Sequence, residues 1–192
     1  MLPKARFKEL LTDIEPYSTT NAACSKAHTD VRKHLRTHPD FMDRWAGDFL
    51  AGSYSRDTTI RPEKTEQGYE RPDVDFILET NFSTWNHPDD VLKELSNAVE
   101  DVFVVERINK RSVRILTANA GINVVPVIES GTVYQIPDRG LGDWKYTNPP
   151  GHNNWNRDQN DDFYFRFKPL VKLFNWWRRE NKTGTGTFQS RS

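Results

Sequence analysis

The spacing of apolar residues along the chain predicts three helices. Between Asn21 and Leu35, apolar side chains recur every four residues, which is typical of a surface helix with a narrow apolar stripe. From His87 to Asp101, a proline near the start and one apolar face predict a second helix. A third is predicted from Asp162 to Arg179, where Pro169 marks either a kink or the true first turn. The side chains predicted to face a core are Phe163, Phe167, Leu170, Val171, Phe174 and Trp177.

Shorter runs predict a small sheet. Asp48 to Tyr54 is typical of a strand that enters a Gly-Ser turn, and Asp73 to Leu78 alternates polar and apolar residues before it becomes apolar. The stretches Arg61 to Arg71 and Pro137 to Asn160 are polar and are predicted to be loops. Together these patterns indicate an α+β fold with a small mixed sheet packed on helices. Further strands are predicted at Val102 to Ile108, Ser112 to Thr117 and Ile122 to Ile128.

Composition narrows the class of protein. A length of 192 residues fits one domain, or one domain and an incomplete second. The 27 basic residues balance 27 acidic residues, so a general coat for nucleic-acid phosphates is not expected, although a local basic patch remains open. The single cysteine, Cys24, excludes an internal disulfide and is typical of a reducing compartment. Without an apolar signal or a membrane-length apolar run, the chain is expected to be cytoplasmic and to have no membrane partner.

Two acidic residues flank a valine in Asp73-Val74-Asp75. In an extended strand alternate side chains share a face, so both carboxylates are expected to point the same way. Their repulsion is relieved when a hard divalent cation such as Mg²⁺ binds between them. The triplet alone also fits a solvated strand face, but the apolar residues that follow it favour a buried sheet strand with a site at its start.

The second element is the turn that begins at Gly52-Ser53 and continues to Thr58. A strand that ends in Gly-Ser brings backbone N–H groups and a hydroxyl close to phosphate oxygens. Glycine suits this place because a side chain there would hold a phosphate away. Taken alone, the pair is also common in ordinary turns.

Taken together, the two motifs resemble the signature of the DNA polymerase β-like nucleotidyltransferase superfamily. The segments Gly52 to Thr58 and Arg71 to Phe76 most resemble the cGAS/DncV-like nucleotidyltransferases (CD-NTases of the SMODS type), which make cyclic oligonucleotide signals in bacteria. Val124-Val125-Pro126-Val127 and the later Trp144, Thr147, Pro149 and His152 are similar both to these enzymes and to archaeal CCA-adding enzymes.

The resemblance implies a two-metal phosphoryl transfer with ATP or GTP as donor. Asp73 and Asp75 would hold Mg²⁺, with Mn²⁺ as a possible substitute, while Gly52 and Ser53 would hold the triphosphate. Lys172 is similar to the family's phosphate-binding lysine, although a solvated lysine on an amphipathic helix is an equally good interpretation. Ser192 is a thin match to a serine that contacts the same phosphates.

The family pattern fails at Asn123, where a third catalytic carboxylate is expected. An asparagine can offer a carbonyl oxygen to a metal, but it brings no charge and cannot take a proton from an attacking hydroxyl. Three explanations remain open: an engineered Asp→Asn change, a native nucleotide-binding protein without turnover, or a misaligned strand. Glu129 does not replace the missing carboxylate, because it lies roughly 20 Å further along the strand.

The resemblance divides the chain into a catalytic core, residues 1–160, and the start of a C-terminal helical lobe, residues 161–192, expected to continue beyond this chain. The expected function is synthesis of a cyclic or linear oligonucleotide second messenger in bacterial antiphage signalling, read by a downstream effector. The alternatives are a CCA-adding-type tRNA nucleotidyltransferase, with tRNA as partner, and a catalytically inactive nucleotide-binding module.

Several other residues invite a functional interpretation. Trp176-Trp177 is best interpreted as core packing, whereas Tyr134 and Trp144 flank a loop near the expected cleft and are the better candidates for base stacking. His34 and His38 are four residues apart and could share a helix face, but a histidine pair without a third ligand is usually a surface feature. The basic stretch Arg107 to Arg114 most simply covers a hairpin turn.

Overall fold

The computed structural model describes residues 4–66, 68–118 and 120–181. Within them, a 3-10 turn at Met42–Arg44 precedes the first strand. The helices are α1 (Lys4–Ile14), α2 (Ser18–Thr37), α3 (Gly52–Ser55), α4 (Pro88–Glu100), α5 (Pro149–Asp162) and α6 (Phe167–Glu180). The strands are β1 (Trp45–Ala51), β2 (Lys64–Thr65), β3 (Gly68–Tyr69), β4 (Asp73–Thr80), β5 (Val104–Ile108), β6 (Val113–Leu116), β7 (Gly121–Ser130), β8 (Val133–Asp138) and β9 (Asp143–Thr147).

The main sheet is mixed, as the sequence predicts. Its strands lie in the order β1-β4-β7-β6-β5, and β7 also pairs with β8, which pairs with β9. β4 and β7 are parallel, whereas the other pairs in this sheet are antiparallel. Parallel pairing at the centre places the start of β4 beside the start of β7, with Asp75 opposite Asn123.

The hydrophobic core lies between one face of the sheet and helices α2 and α4. β4 alternates, so that Val74, Phe76 and Leu78 are buried in this core while Asp73 and Asp75 face the other way. The apolar stripes of both helices, predicted from their spacing, pack against these strands. Their buried members are Cys24, Ala27, Val31 and Leu35 on α2 and Val91, Leu92, Leu95, Ala98 and Val99 on α4. No helix in the described ranges is long and apolar enough to cross a bilayer.

The predicted loop at Pro137 to Asn160 is wrong, because this stretch contains β9 and most of α5. The helix begins at two prolines, where a missing N–H costs nothing, and the Asn148 side chain caps it by accepting from the Gly151 amide at 2.9 Å. α5 lacks an apolar stripe, so its sequence carries no helical period. The polar segment after Arg61 likewise contains the short β2–β3 hairpin.

Helix α6 begins at Phe167, five residues later than predicted. The chain turns before it, with positive φ angles of 52° at Tyr164 and 61° at Phe165, and Pro169 lies in the first turn rather than at a kink. The predicted core face is also wrong for much of its length, because α6 packs against α1 and α5 at the edge of the molecule. Four of the residues predicted to face the core have more than half of their surface exposed, namely Phe163, Leu170, Phe174 and Trp177.

Candidate active site

The carboxylates of Asp73 and Asp75 lie on one face of β4, the face away from helices α2 and α4. Asp73 is exposed and Asp75 is partly buried. β4 is flanked by β1 and β7, so groups from both neighbouring strands meet the two carboxylates. The sequence prediction of a shared face is therefore confirmed.

Gly52 begins helix α3 directly opposite Asp75. Its φ angle is +71°, in the left-handed region that favours glycine. A Cβ atom at this position would collide with the Oδ2 atom of Asp75. The glycine is therefore required by the packing of the turn against β4, a reason that adds to the access for phosphate expected from the sequence.

Ser53 follows on the same turn and is held by hydrogen bonds within it. Its Oγ accepts from the Thr59 hydroxyl at 3.2 Å, and its carbonyl accepts from the Thr58 amide at 2.9 Å. The side chain lines a cleft of about 760 Å³ that also reaches Asp73 and Arg56. Ser53 and Asp73 thus border the same open space.

Asn123 contacts the carboxylates directly. Its Nδ2 donates to Asp75 Oδ1 at 2.9 Å, and the two residues pair in register between β4 and β7. Position 123 therefore lies in the site, and the explanation by a misaligned strand is wrong. The side-chain amide leaves Asp75 with a neutral neighbour where a third carboxylate would repel it.

Arg114 brings a positive charge into this cluster. Its Nη2 donates to Asp73 Oδ1 at 2.7 Å, and its Nη1 donates to Asn123 Oδ1 at 3.3 Å. Burial works against the charged guanidinium, but hydrogen bonds and charge interactions with Asp73 and Glu106 outweigh it and raise the pKa of Arg114. Arg114 is thus a fixed cation that neutralises part of the acidic face.

Glu106 holds the other side of the guanidinium, accepting from Arg114 Nε at 2.7 Å. It lies at a bulge in β5, where the pairing with β6 shifts between Val105 and Arg107. An extra residue at a bulge turns its side chain out of the regular alternation. Neither Arg114 nor Glu106 was predicted as a site residue, because only the strand register brings them beside Asp73.

A second cleft, of about 870 Å³, also adjoins the Gly-Ser turn. It is bordered by Gly52 and Asp75 and also by Arg111, Lys145 and His152. Asp73 therefore borders one cleft and Asp75 borders the other.

Two exposed aromatic side chains border the clefts. Tyr146 lines the larger cleft and Trp155 lines both. Trp155 packs edge-on against Phe167 at 5.6 Å between ring centroids. Neither residue was predicted as part of the site, because both lie in the stretch that was predicted to be a loop.

The aromatic residues favoured from the sequence are poorer candidates for stacking. Trp144 is buried in the core and donates from Nε1 to the Asn86 carbonyl at 2.9 Å. Tyr134 packs against Phe49, and the hydrogen bond that it donates to Glu79, together with burial, raises its pKa to about 12. The stacking prediction for Trp144 is therefore wrong.

Lys172 is the buried residue of α6, which excludes the solvated interpretation. Its Nζ lies 2.8 Å from both carboxylate oxygens of Glu15 and 3.1 Å from Asp57 Oδ1. Asp57 closes the turn that carries Ser53, so Lys172 is anchored beside the predicted phosphate-binding turn. Its role toward phosphate stays a prediction, and Ser192 lies outside the described residues.

Residues 1–160 match the family model described as the Second Messenger Oligonucleotide or Dinucleotide Synthetase domain. The chain is 42% identical over 183 residues to a cyclic AMP-AMP-AMP synthase from an Acinetobacter species, an alignment that covers 94% of this chain. It is 32% identical over 77 residues, 40% of this chain and 19% of the relative, to a cyclic AMP-AMP-GMP synthase from Enterobacter hormaechei.

Solved structures share the fold at low sequence identity. The CdnE c-UMP-AMP synthase of Rhodothermus marinus, solved with Apcpp and Upnpp, matches with a TM-score of 0.70 and 16% identity, over 97% of this chain and 70% of that one. The CD-NTase CdnG of Bradyrhizobium diazoefficiens, solved with GTP, matches with a TM-score of 0.65 and 19% identity, over 78% of this chain and 44% of that one. The fold is that of the polymerase β-like nucleotidyltransferases.

The chain is shorter than the relatives that it matches. It spans 53% of the length of the Acinetobacter protein. The matched part includes both carboxylates of β4, the Gly-Ser turn and position 123.

Proposed function

Because the chain belongs to the Second Messenger Oligonucleotide or Dinucleotide Synthetase domain family, we propose that it is the core of an enzyme that makes a cyclic or linear oligonucleotide second messenger. The donor is a nucleoside triphosphate, ATP or GTP. The observation that carries the proposal is the Asp73–Asp75 pair beside the Gly52-Ser53 turn, with each carboxylate bordering an open cleft. The Acinetobacter relative supports adenine as one base, since it is a cyclic AMP-AMP-AMP synthase.

The Gly-Ser turn is the proposed binding site for the triphosphate of the donor nucleotide. Gly52 offers a backbone amide without a side chain in the way, and the Ser53 hydroxyl lines the cleft that reaches Asp73. Amides at the start of a helical turn together with a hydroxyl suit phosphate oxygens. Lys172 contacts Asp57, which closes this turn. We propose that its ammonium moves toward the phosphates when the nucleotide binds.

The donor atoms of the site fit Mg²⁺, or Mn²⁺ in its place. Asp73, Asp75 and the Asn123 carbonyl offer oxygen only, the ligand type that hard cations prefer. When bound, the ion neutralises the triphosphate and the charge that develops on the attacking and leaving oxygens. Asp73 and Asp75 would hold it, and Arg114 would then have to release Asp73 Oδ1, to which it is now bonded.

Asn123 affects which group can accept the proton of the acceptor hydroxyl during nucleotidyl transfer. The acceptor hydroxyl oxygen bonds to the α-phosphorus of the donor, pyrophosphate leaves, and the hydroxyl proton must be taken up. An amide does not take that proton, so Asn123 can only orient Asp75, to which it donates. We propose that the proton passes to Asp75 or to solvent, and that transfer by this chain is slow for this reason.

A specific observation favours a second candidate, a nucleotide-binding module without turnover. Asn123 removes one carboxylate, and Arg114 already pairs with Asp73. A site with this balance of charge suits retention of an anionic nucleotide better than two-metal catalysis. This candidate predicts nucleotide binding without product for any metal or donor.

The test is product analysis by thin-layer chromatography with labelled ATP, GTP, CTP and UTP and either Mg²⁺ or Mn²⁺. The chain is compared with Asn123→Asp, each also in an Asp75→Asn background as the inactive control. The full-length Acinetobacter relative, of which the chain spans 53%, is assayed beside it. A positioned proton acceptor contributes roughly 100-fold to 10,000-fold, so Asn123→Asp should raise a phosphatase-resistant product by at least about 100-fold.

The outcomes separate the candidates. If Asn123→Asp gives product and the Asp75→Asn control does not, the synthase assignment holds and Asn123 is a disabled catalytic position. Nucleotide binding without product in every variant supports the binding module. Product that appears only when tRNA is added supports the CCA-adding alternative. A product that activates a downstream effector during phage infection would support the antiphage role in the cytoplasm that the resemblance implies.

A further inference from the structure

The two histidines singled out in the sequence acquire a third partner in the fold. His34 and His38 lie one turn apart near the end of α2, and Asp101 follows the last residue of α4. One ligand atom from each of the three residues lies within 4.8 Å of the other two. The cluster is on the helical side of the molecule, and none of its members borders the clefts beside Asp73 and Asp75.

The distances join the three side chains around one point. His34 Nε2 lies 3.2 Å from Asp101 Oδ1, and His38 Nε2 lies 3.8 Å from Asp101 Oδ2. The Ala98 carbonyl oxygen lies 2.6 Å from His34 Nε2 and adds an oxygen at the same place. The Asp101 carboxylate and the two Nε2 atoms therefore lie close to one another, and the Ala98 carbonyl oxygen adjoins His34 Nε2.

The surroundings hold the imidazoles in position. The side chains of His34 and His38 are only 14% and 12% exposed, whereas that of Asp101 is 55% exposed. His34 packs edge-on against Phe103, with 5.5 Å between ring centroids. The histidines are thus fixed by packing, and the carboxylate is the side that solvent and ions can reach.

The geometry points to a divalent transition-metal site formed by His34, His38 and Asp101, with Zn²⁺ as the preferred ion. Imidazole nitrogen suits Zn²⁺, Cu²⁺ and Ni²⁺, whereas Mg²⁺ prefers oxygen ligands alone. Three protein ligands are typical of an open zinc site, and here they are His34 in the last turn of α2, His38 directly after that helix, and Asp101. Water or the Ala98 carbonyl would complete the tetrahedron. The ion would join the end of α2 to the end of α4.

Metal binding sets the tautomers of the two imidazoles. Coordination through Nε2 leaves the proton on Nδ1 of each ring. His38 Nδ1 now accepts from the Asp40 amide at 3.3 Å, so this contact must open when the metal binds. His34 Nε2 must likewise exchange the Ala98 carbonyl for the metal or share the ion with it.

The experiment measures metal content and spectrum of the whole chain. Protein is loaded with Zn²⁺ in excess Mg²⁺, desalted, and analysed by mass spectrometry of the elements; Co²⁺ loading reports the coordination geometry by visible absorption. We expect one zinc per chain, a tetrahedral cobalt spectrum, and a melting temperature raised by Zn²⁺. The matched variants are Asp101→Asn, which removes a ligand, and Glu100→Gln, which changes the neighbouring exposed carboxylate.

The variants decide between a built site and other binding. Asp101→Asn and His38→Ala should lose the retained zinc and the zinc-dependent rise in melting temperature, while Glu100→Gln should keep both. Zinc retention that is equal in Asp101→Asn and the unchanged chain, or no retention by either, overturns the proposal. An Asp73→Asn, Asp75→Asn chain should still retain zinc; if it does not, the metal binds at the nucleotide site. None of these results depends on the proposed synthase activity.

Discussion

Over its first half, the two faces of β4 differ in what stabilises them, whereas further along Ile77 is buried on the same face as Asp73 and Asp75. On one face Val74, Phe76 and Leu78 are fully buried against helices and need no partner beyond close packing. On the other face, Asp73 and Asp75 each depend on a polar neighbour from β6 or β7. Burial of apolar area is non-directional, whereas charges require particular partners at particular distances. The first face therefore holds the fold together and the second can be retuned by single substitutions.

Substitution on the core face of β4 should give the largest change, a loss in the free energy of unfolding. Phe76→Ala removes a fully buried ring and should lower the free energy of unfolding by about 3–5 kcal/mol. Urea denaturation followed by circular dichroism measures this loss. Phe76→Leu, which keeps most of the volume, should cost clearly less; an equal loss in both variants would mean that volume is not what the site requires.

The site face should respond in binding rather than in stability. Asp75→Asn removes a proposed metal ligand and should weaken Mg²⁺-dependent ATP binding about 100-fold, which is about 2.7 kcal/mol. The free energy of unfolding should stay within about 0.5 kcal/mol of the original. Isothermal titration calorimetry measures the binding, with Asp90→Asn on the opposite side of the sheet as control. Unchanged binding would remove Asp75 from the metal site.

A smaller effect is expected at the rim of the clefts. Trp155→Ala should weaken nucleotide binding about 10-fold, since stacking of a base on an aromatic ring contributes about 1–3 kcal/mol. Titration with a fluorescent ATP analogue measures this change in affinity. Trp85→Ala is the matched control, because Trp85 is 94% exposed and borders neither cleft. Equal effects of both changes would contradict a stacking role.

The smallest effect on stability is expected at Asp138, a buried carboxylate that is not a proposed metal ligand. Asp138 is fully buried; although burial favours the neutral acid, hydrogen bonds from Lys110 and Arg111 lower its pKa. Its contribution to stability, about 1 kcal/mol, is therefore present above the ordinary carboxyl pKa of about 4 and is lost as the pH falls toward the lowered value.

Urea denaturation of the unchanged chain and of Asp138→Asn between about pH 3 and pH 6 measures this contribution. The difference between the two chains should shrink as the pH falls. Asp161→Asn, an exposed position, should show no such trend. A difference that grows toward low pH would contradict the assigned direction.

The features that could be predicted from the sequence are those that a period within one helix or strand encodes. The alternation in β4 and the stripes of α2 and α4 are periodic, so the strand, both helices and the shared face of Asp73 and Asp75 were predicted. Arg114 and Glu106 reach the site only through the β6–β7 register and a bulge in β5, which no local period encodes. The helix α5 was missed for the opposite reason, since its polar residues carry no period.

The contacts of Lys172 have a consequence for the order in which the chain assembles. Its ammonium pairs with Glu15 across a separation of 157 residues and with Asp57 across 115. Closing so long a loop costs chain entropy. The ion pairs offset this cost only after the sheet has brought both segments together. We therefore expect α1 and α6 to join the folded structure last and to open first, as one cooperative unit that exchanges its amide hydrogens faster than β4 does.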